Sequence, residues 1–404
     1  MSHSSSPSVN TRSSNTSTIT MGKPDRLLLL SILLLLGMGL LSVYSASAYH
    51  AQQESGYSFA LLLKQGGAAV IGLLCMGYFS TLKPSFWNRW GQLYALVVLA
   101  LLALTLLVGK TANGSERWLP LPIVGQFQPS ELAKLSVVIL MAQATSQARR
   151  VSPLLLVNAM LALLMIGLIF KQPNLSITLL LTSLVGMMLL LGRWPLWLFA
   201  VALPPAGWWV WQKITTTEYQ WRRIVGWLDP WKDSQDTGYN LVQSYFAIGS
   251  GGLLGTGYGQ SIQKQFYLPF PYTDFIFSVI CEEWGLVGGV MLIGAFGLLI
   301  WRGLRTALRC PTMFGKQMAA GITFVIGLQA IINMAVTTGL MPVTGVTLPL
   351  ISYGGTSMVV TLSMLGVLVG LSRLSHTVVV DSSVGSSPSP SIGEGRGTAK
   401  PLYS

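Results

Sequence analysis

The stretch LPFPYTDFIFSVICEEWGLVGGVMLIGAFGLLIW, residues 268–301, decides the fold class, because a proline-punctuated polar loop turns directly into a long apolar run. About 20 consecutive apolar residues are enough to span the hydrocarbon core of a bilayer as a helix. This run opens with Asp274, and a carboxylate costs about 2.5–3.5 kcal/mol at the centre of a membrane helix. Only 13 of the 404 residues are acidic. The position therefore favours a functional role for Asp274 over a simple helix cap.

The rest of the chain repeats this apolar pattern, with 51% hydrophobic and only 9% charged residues. The composition predicts an all-α, polytopic integral membrane protein with about ten transmembrane helices and one large extracytoplasmic loop. The ten predicted spans are residues 27–46, 59–80, 91–109, 131–148, 152–170, 173–191, 195–212, 272–301, 317–340 and 352–373. The prolines between the third and fourth spans force a loop there.

Charge predicts the orientation of these spans. Their even number puts both termini on one side, and a cytoplasmic placement collects 15 of the 25 Lys and Arg residues inside. The loops 110–130 and 213–271 then face outward, and Asp274 lies at the outer boundary of the plasma membrane. Residues 1–22 and 377–404 lack periodicity and predict disordered cytoplasmic tails on either side of one membrane domain, residues 23–376.

Several functional classes are excluded by composition. The net charge of +12 is explained by basic inner loops facing anionic lipid. No basic stripe with interleaved aromatic residues lies on a soluble face, so a nucleic-acid partner is not expected. Three cysteines and three histidines are too scattered for a disulfide framework, a histidine metal site or a Ser-His-Asp triad.

Polar residues that interrupt the apolar pattern are the candidate functional groups. Glu282 lies about 12 Å below Asp274 on the same predicted helix, and a structural role is favoured for it and for Glu283. Glu131 and Lys134 share a helical face, so Lys134 pairs either with that glutamate or with a ligand phosphate.

Three outward-facing loops complete the pattern. The aromatic and basic stretch 219–232 is predicted to lie on the membrane surface. Six glycines within 249–259 form either a re-entrant turn or a phosphate-binding backbone, and the sequence leaves both open. The uncharged loop 341–357, which contains Ser352, is tolerated at membrane depth when it packs on protein or lines a cavity. One carboxylate, several cations and long apolar walls suit a lipid with a phosphorylated head group.

These residues resemble the SEDS family (shape, elongation, division and sporulation). The matching segments are residues 113–134, 263–285 and 342–357, and TDFIF at 273–277 combined with ISYGG at 351–355 is highly specific. QKQFYLP at 263–269 and PVTG at 342–345 favour the division branch over the elongation branch. The chain departs from the family's usual Pro-Glu-x-His-Thr-Asp, because Phe270 and Tyr272 replace the Glu and His.

The resemblance implies a peptidoglycan glycosyltransferase that polymerises lipid II and releases undecaprenyl diphosphate, with a class B penicillin-binding protein and other division proteins as partners. It assigns the essential aspartate to Asp274 and the substrate-binding positions to Arg117, Glu131 and Lys134. Lys264 and Ser352 are further candidates for substrate binding. Asp274 is expected to act as a general base, with Arg117, Lys134 and Lys264 holding the diphosphate.

A divalent cation, Mg²⁺ or Mn²⁺, could assist the reaction, although the sequence contains no dedicated cage for it. The alternative functions are an elongation-type polymerase, a lipid II flippase and a non-catalytic scaffold for the division machinery.

Overall fold

The computed structural model describes residues 22–108, 110–112, 115–121, 125–146, 153–195, 197–265, 267–269 and 271–374. The described helices are α1 (Arg26–Ser55), α2 (Ala60–Thr81), α3 (Pro84–Val108), α4 (Pro129–Ser146), α5 (Pro153–Lys171), α6 (Leu175–Leu191), α7 (Trp197–Thr216), α8 (Glu218–Leu228), α9 (Tyr239–Gly251), α10 (Ile276–Arg309), α11 (Met313–Thr337) and α12 (Gly355–Leu374). The predicted tails lie outside these residues, except for Gly22, whose amide donates to the carbonyl of Arg373 at 3.1 Å.

The predicted polytopic helical architecture is confirmed. Seven described helices, α1, α2, α3, α5, α10, α11 and α12, are long and apolar enough to cross a membrane. The other three predicted spans correspond to α6, an apolar helix of 17 residues, and to α4 and α7. The eighth span runs over Ile276–Arg309, about two turns beyond its predicted end at residue 301.

The loop 110–130 differs from the prediction, because it contains a small antiparallel sheet. Strand β2 (Ser115–Leu121) pairs with both β1 (Lys110–Ala112) and β3 (Gly125–Phe127). Trp118 lies opposite Lys110, and Leu119 lies opposite Phe127. The prolines break the helices as predicted, but strand pairing depends on hydrogen bonds between segments, which a local sequence pattern does not reveal.

Helices α2 and α12 approach each other closely where α12 carries glycine. A Cβ atom built on Gly366 would lie 2.5 Å from the carbonyl oxygen of Met76, and one on Gly370 would lie 2.9 Å from that of Ser80. The two glycines are four residues apart and therefore share one face of α12, in the small-xxx-small pattern of membrane helix pairs.

Helix α10 is broken at Gly285, whose φ of 66° and ψ of −163° are not helical. The glycine-rich segment after α9 provides hydrogen-bond partners for the backbone groups that the break in α10 leaves without intrahelical partners. Thr256 N donates to Glu282 O at 2.9 Å, Gly257 N donates to Glu283 O at 3.1 Å, and Leu286 N donates to a carbonyl of the same segment. Irregular backbone at membrane depth is tolerated when its polar groups are satisfied in this way. The amides of Thr256 and Gly257 are therefore occupied at the break in α10, which favours the turn over a phosphate-binding backbone for this part of the segment.

Candidate functional site

Asp274 lies in the turn immediately before α10, and three contacts fix the backbone there. Asn333 of α11 donates through Nδ2 to the carbonyl of Asp274 at 2.9 Å. Ser352 Oγ donates to Thr273 O at 2.6 Å, and Tyr353 N donates to Tyr272 O at 2.8 Å. The turn is thus held by α11 and by the loop between α11 and α12. These contacts fix the point from which the carboxylate projects.

The Asp274 side chain does not cap α10. The N-cap of that helix is Phe275, and no side chain caps it. The Asp274 side chain is only partly exposed, and its carboxylate accepts no hydrogen bond from the described residues. Gly345, at φ 71°, lies opposite it: a Cβ atom there would be 3.6 Å from Asp274 Oδ2. The carboxylate is therefore available to a ligand.

The electrostatic surroundings of Asp274 suit a base. Burial raises the pKa of the Asp274 carboxyl above its ordinary value, while the positive charge of Arg223 lowers it in part. Arg223 lies on α8, and its guanidinium stacks over the Tyr219 ring, 4.4 Å from the ring centroid.

From its sequence position, Arg223 was predicted to lie on the membrane surface and was not among the candidate site residues. The available signal was the adjacent pair Arg222 and Arg223 on a strongly amphipathic helix. Arg222 forms an ion pair with Asp236 instead. Two neighbouring arginines project about 100° apart on a helix, so their side chains have different partners.

Lys134 and Glu131 form a buried ion pair in the first turns of α4. Lys134 Nζ lies 2.8 Å from the Glu131 carboxylate and 2.9 Å from Gln329 Oε1. The Lys134 residue is 1% exposed. Of the two alternatives left open by the sequence, the structure shows Glu131 as the partner of Lys134.

This ion pair reaches the Asp274 turn through α11. Gln329 Nε2 donates to Thr347 O at 3.0 Å, and Asn333 Nδ2 donates to the neighbouring Val346 O at 2.7 Å as well as to Asp274. Gln329 and Asn333 are one turn apart on the same helix face. Lys134 is thereby connected to the loop that carries Gly345, although it does not itself contact Asp274.

Ser352 is occupied by the loop to which it belongs. Its Oγ donates to Thr273 O and accepts from Leu348 N at 2.8 Å. Gln65 of α2 holds the same loop, donating to Ser352 O at 3.1 Å and accepting from Gly354 N at 3.1 Å. Ser352 therefore positions the Asp274 turn.

Lys264 lies in a second buried ion pair. Its Nζ is 2.7 Å from Glu283 Oε1 and 2.9 Å from Ser45 Oγ, and the residue is 5% exposed. Glu282 accepts from Ser261 Oγ and from the amide of Ile262 at 2.8 Å. These contacts give both glutamates the structural role expected of them, at the break in α10.

Arg117 lies on β2, beside Trp118, and its side chain falls outside the described part of the structure. Within the described ranges, no group of three or more His, Cys, Asp or Glu residues could hold a metal ion. The donors near Asp274 therefore do not form a protein cage for a divalent cation.

The fold and site define a polytopic membrane protein that holds a partly buried carboxylate, with an arginine near it, at the end of a broken helix. A model of the FtsW/RodA/SpoVE family, described as a cell cycle protein, matches residues 25–377. The chain belongs to this family.

Curated and solved relatives agree with this assignment. The chain is 38% identical to stage V sporulation protein E of Bacillus subtilis over 366 residues, which cover 87% of this chain and 98% of that protein. It is 36% identical to a probable peptidoglycan glycosyltransferase FtsW of Geobacter sp. strain M18, with coverages of 86% and 96%. A chain from a structure described as "Structural coordination of polymerization and crosslinking by a peptidoglycan synthase complex" superposes with a TM-score of 0.71, at 32% identity and coverages of 87% and 98%.

Proposed function

We propose that this protein is a peptidoglycan glycosyltransferase of the division type, which polymerises lipid II into glycan strands at the outer face of the plasma membrane. The observation that carries the proposal is the Asp274 carboxylate, which is partly buried, has a pKa above its ordinary value and accepts no hydrogen bond from the described residues. The name of the FtsW relative supports the same activity. The septum is the proposed site of action, with both termini in the cytoplasm.

The proposed chemistry is an inverting glycosyl transfer. Asp274 accepts the proton of the 4-hydroxyl of the incoming lipid II as that oxygen attacks the anomeric carbon of the growing strand. The bond between this carbon and the diphosphate oxygen breaks, and undecaprenyl diphosphate leaves with the electron pair. A base with a pKa above its ordinary value matches the proton affinity of this step better than an ordinary carboxylate. Asp274 then returns its proton to solvent.

The leaving diphosphate requires positive charge, and the structure changes which residues are proposed to supply it. Lys134 and Lys264 are buried and neutralised by Glu131 and Glu283. We therefore assign them to positioning the loops, and we assign the diphosphate to Arg223 together with Arg117. A divalent cation, Mg²⁺ or Mn²⁺, is proposed only as an aid to the reaction, and no step of this mechanism requires it.

A class B penicillin-binding protein is the proposed partner, with other division proteins around it. Polymerisation yields uncross-linked glycan, so a transpeptidase must act on the product. The solved relative belongs to a complex described as coordinating polymerisation with crosslinking, which supports this pairing.

The rival functions rest on weaker observations. A lipid II flippase would use charged groups inside the membrane, but Glu282 and Glu283 are both occupied by hydrogen bonds. A non-catalytic scaffold gives no reason for a carboxylate without a donor at Asp274. An elongation-type or sporulation-type polymerase would share the chemistry and differ in its partner.

The test is to purify the protein with its cognate transpeptidase and incubate it with labelled lipid II, comparing wild type with Asp274→Asn. Asparagine keeps the shape and removes the base, so we expect glycan polymer from the wild type alone. Full activity of a folded Asp274→Asn protein would contradict the mechanism. Lipid translocation without polymer would support the flippase instead.

A further inference from the structure

A groove of about 370 Å³ opens beside α1, on the same side of the membrane domain as Asp274. Its described lining comes from α1, from the turn after α1 and from the loops that follow the glycine-rich segment. The lining residues are Tyr44, Ser45, Ala48, Tyr49, Gln52, Ser58, Tyr258, Gly259, Lys264 and Gln265. The volume lies within the range of about 300–1,000 Å³ typical of small-ligand pockets.

The groove and the Asp274 turn lie on different faces of α1. Ala46 packs in a small apolar cluster with Phe275, and His50 lies edge-on to Tyr272, with their ring centroids 5.8 Å apart. Tyr49 and Gln52 project from a separate face, because residues of a helix are rotated by about 100° from one to the next. The groove is therefore next to the reaction centre and distinct from it.

The walls of the groove combine exposed aromatic rings with amides and hydroxyls. Tyr49 is 42% exposed and Tyr258 is 45% exposed, although large aromatic side chains normally bury their rings. Gln52 adds an amide to this wall, and its Oε1 accepts from Ser58 Oγ at 2.9 Å. Among the described lining, Ala48 is the one aliphatic side chain, so the surface suits an acyl chain poorly.

The floor of the groove is electrically neutral. Lys264 carries the one formal charge of the described lining, and Glu283 neutralises it at 2.7 Å while Ser45 takes a further hydrogen bond at 2.9 Å. An anionic ligand would have to compete with Glu283 for Lys264, and removing that ligand from water at a buried ion pair would be costly. The chemistry is therefore that of an uncharged, hydroxylated ligand.

We infer that this groove binds pyranose rings of the growing glycan strand, as a holding site separate from the reaction centre. A pyranose ring has an apolar C–H face that stacks on tyrosine and an edge of hydroxyl and acetamido groups that bonds amides. The groove lies at the surface, where Tyr49 and Tyr258 are exposed, so a polymer can continue beyond it. The inference rests on the proposed function, because it takes its ligand from the polymer that Asp274 would extend.

A holding site changes how long the strand remains bound and leaves the chemical step unchanged. The full chain and its cognate transpeptidase would be given labelled lipid II, and both the first coupling and the length distribution of the glycan would be measured. Tyr49→Ala combined with Tyr258→Ala is expected to shorten the strands several-fold at an unchanged rate of first coupling. Tyr267→Ala is the matched control, because Tyr267 is 54% exposed and does not line the groove.

Tyr258→Phe separates ring stacking from local structure. The Tyr258 hydroxyl donates to Leu41 O at 3.0 Å, and phenylalanine loses only this bond. We expect normal strand length from Tyr258→Phe. A shortening equal to that of Tyr258→Ala would overturn the inference, and so would unchanged strands in the double variant or a parallel loss of first coupling.

A binding measurement keeps this inference separable from the proposed function. The probe is a tetrasaccharide of N-acetylglucosamine, which carries no charge, added to the full chain in lipid nanodiscs. We expect wild type and Tyr267→Ala to bind it and the double variant to bind it roughly 10-fold more weakly. If the wild type makes no polymer, the proposed function fails while this comparison still tests the groove. Absence of wild-type binding, or binding of the free stem peptide instead, would overturn the inference.

Discussion

Breaking the Glu131–Lys134 ion pair from one side should be far more damaging than removing both charges. Lys134→Met deletes the Nζ that lies 2.8 Å from the Glu131 carboxylate and 2.9 Å from Gln329. The two side chains are 1% and 5% exposed, so the remaining carboxylate stays buried without its partner. Removing one member of such a pair costs about 3–5 kcal/mol. Glu131→Leu leaves the Lys134 charge uncompensated and should cost a similar amount.

The double variant Glu131→Leu/Lys134→Met replaces both charges by apolar groups of similar volume. Such replacements are often neutral, or stabilising by about 1–4 kcal/mol. We therefore expect the free energy of unfolding of the double variant to be close to that of the wild type and well above that of either single variant. Equilibrium unfolding in detergent micelles would give the free energy of unfolding of the wild type, the two single variants and the double variant. These four values complete a double-mutant cycle. The reasoning would be refuted if either single variant lost less than about 1 kcal/mol of unfolding free energy. It would also be refuted if the loss in the double variant equalled the sum of the two single losses.

Polymer synthesis by the same four proteins separates two roles for Lys134. If Lys134 only supports α11 and the loop that faces Asp274, the stable double variant regains part of its activity. If Lys134 binds the diphosphate directly, the double variant is stable and inactive. The second result would contradict the assignment of Lys134 to positioning.

Two further predictions concern the base and the helix interface. The pKa of Asp274 is raised above its ordinary 3.8, and the base works only when it is ionised. Polymerisation should therefore fall as the pH falls, and this acid limb of the pH–rate profile should lie above pH 3.8. Arg223 lowers that pKa, so Arg223→Gln should move the limb to higher pH in a pH–rate profile; a limb that stays in place would contradict the pairing. Gly366→Ala should destabilise the protein by about 1–3 kcal/mol, because its Cβ would lie 2.5 Å from Met76 O. Gly77→Ala, which has open space around its Cβ, is the control for that thermal-unfolding measurement, and equal stability of the two variants would contradict the close approach of α2 and α12.

The helices were predictable because a span is a local property of the chain. Apolar runs of about 20 residues identify a membrane helix without knowledge of its neighbours, and each of the ten predicted spans matches a helix. Asp274 was also identified locally, because a carboxylate at the entrance to such a run is costly wherever the helix packs. The sheet formed by β1, β2 and β3 was missed because strands acquire their hydrogen bonds from other segments.

The sequence by itself determined the fold class and the candidate base, since hydropathy and desolvation act on residues one at a time. Only the tertiary structure decided the partners of the charged residues. It pairs Lys264 with Glu283 and brings the charge of Arg223 close enough to lower the pKa of Asp274. These partners are separated along the chain by 19 and 51 residues, as their numbers show. The identity of a charge partner depends on which helices pack together, and the spacing of residues along a single helix contains no information about that packing.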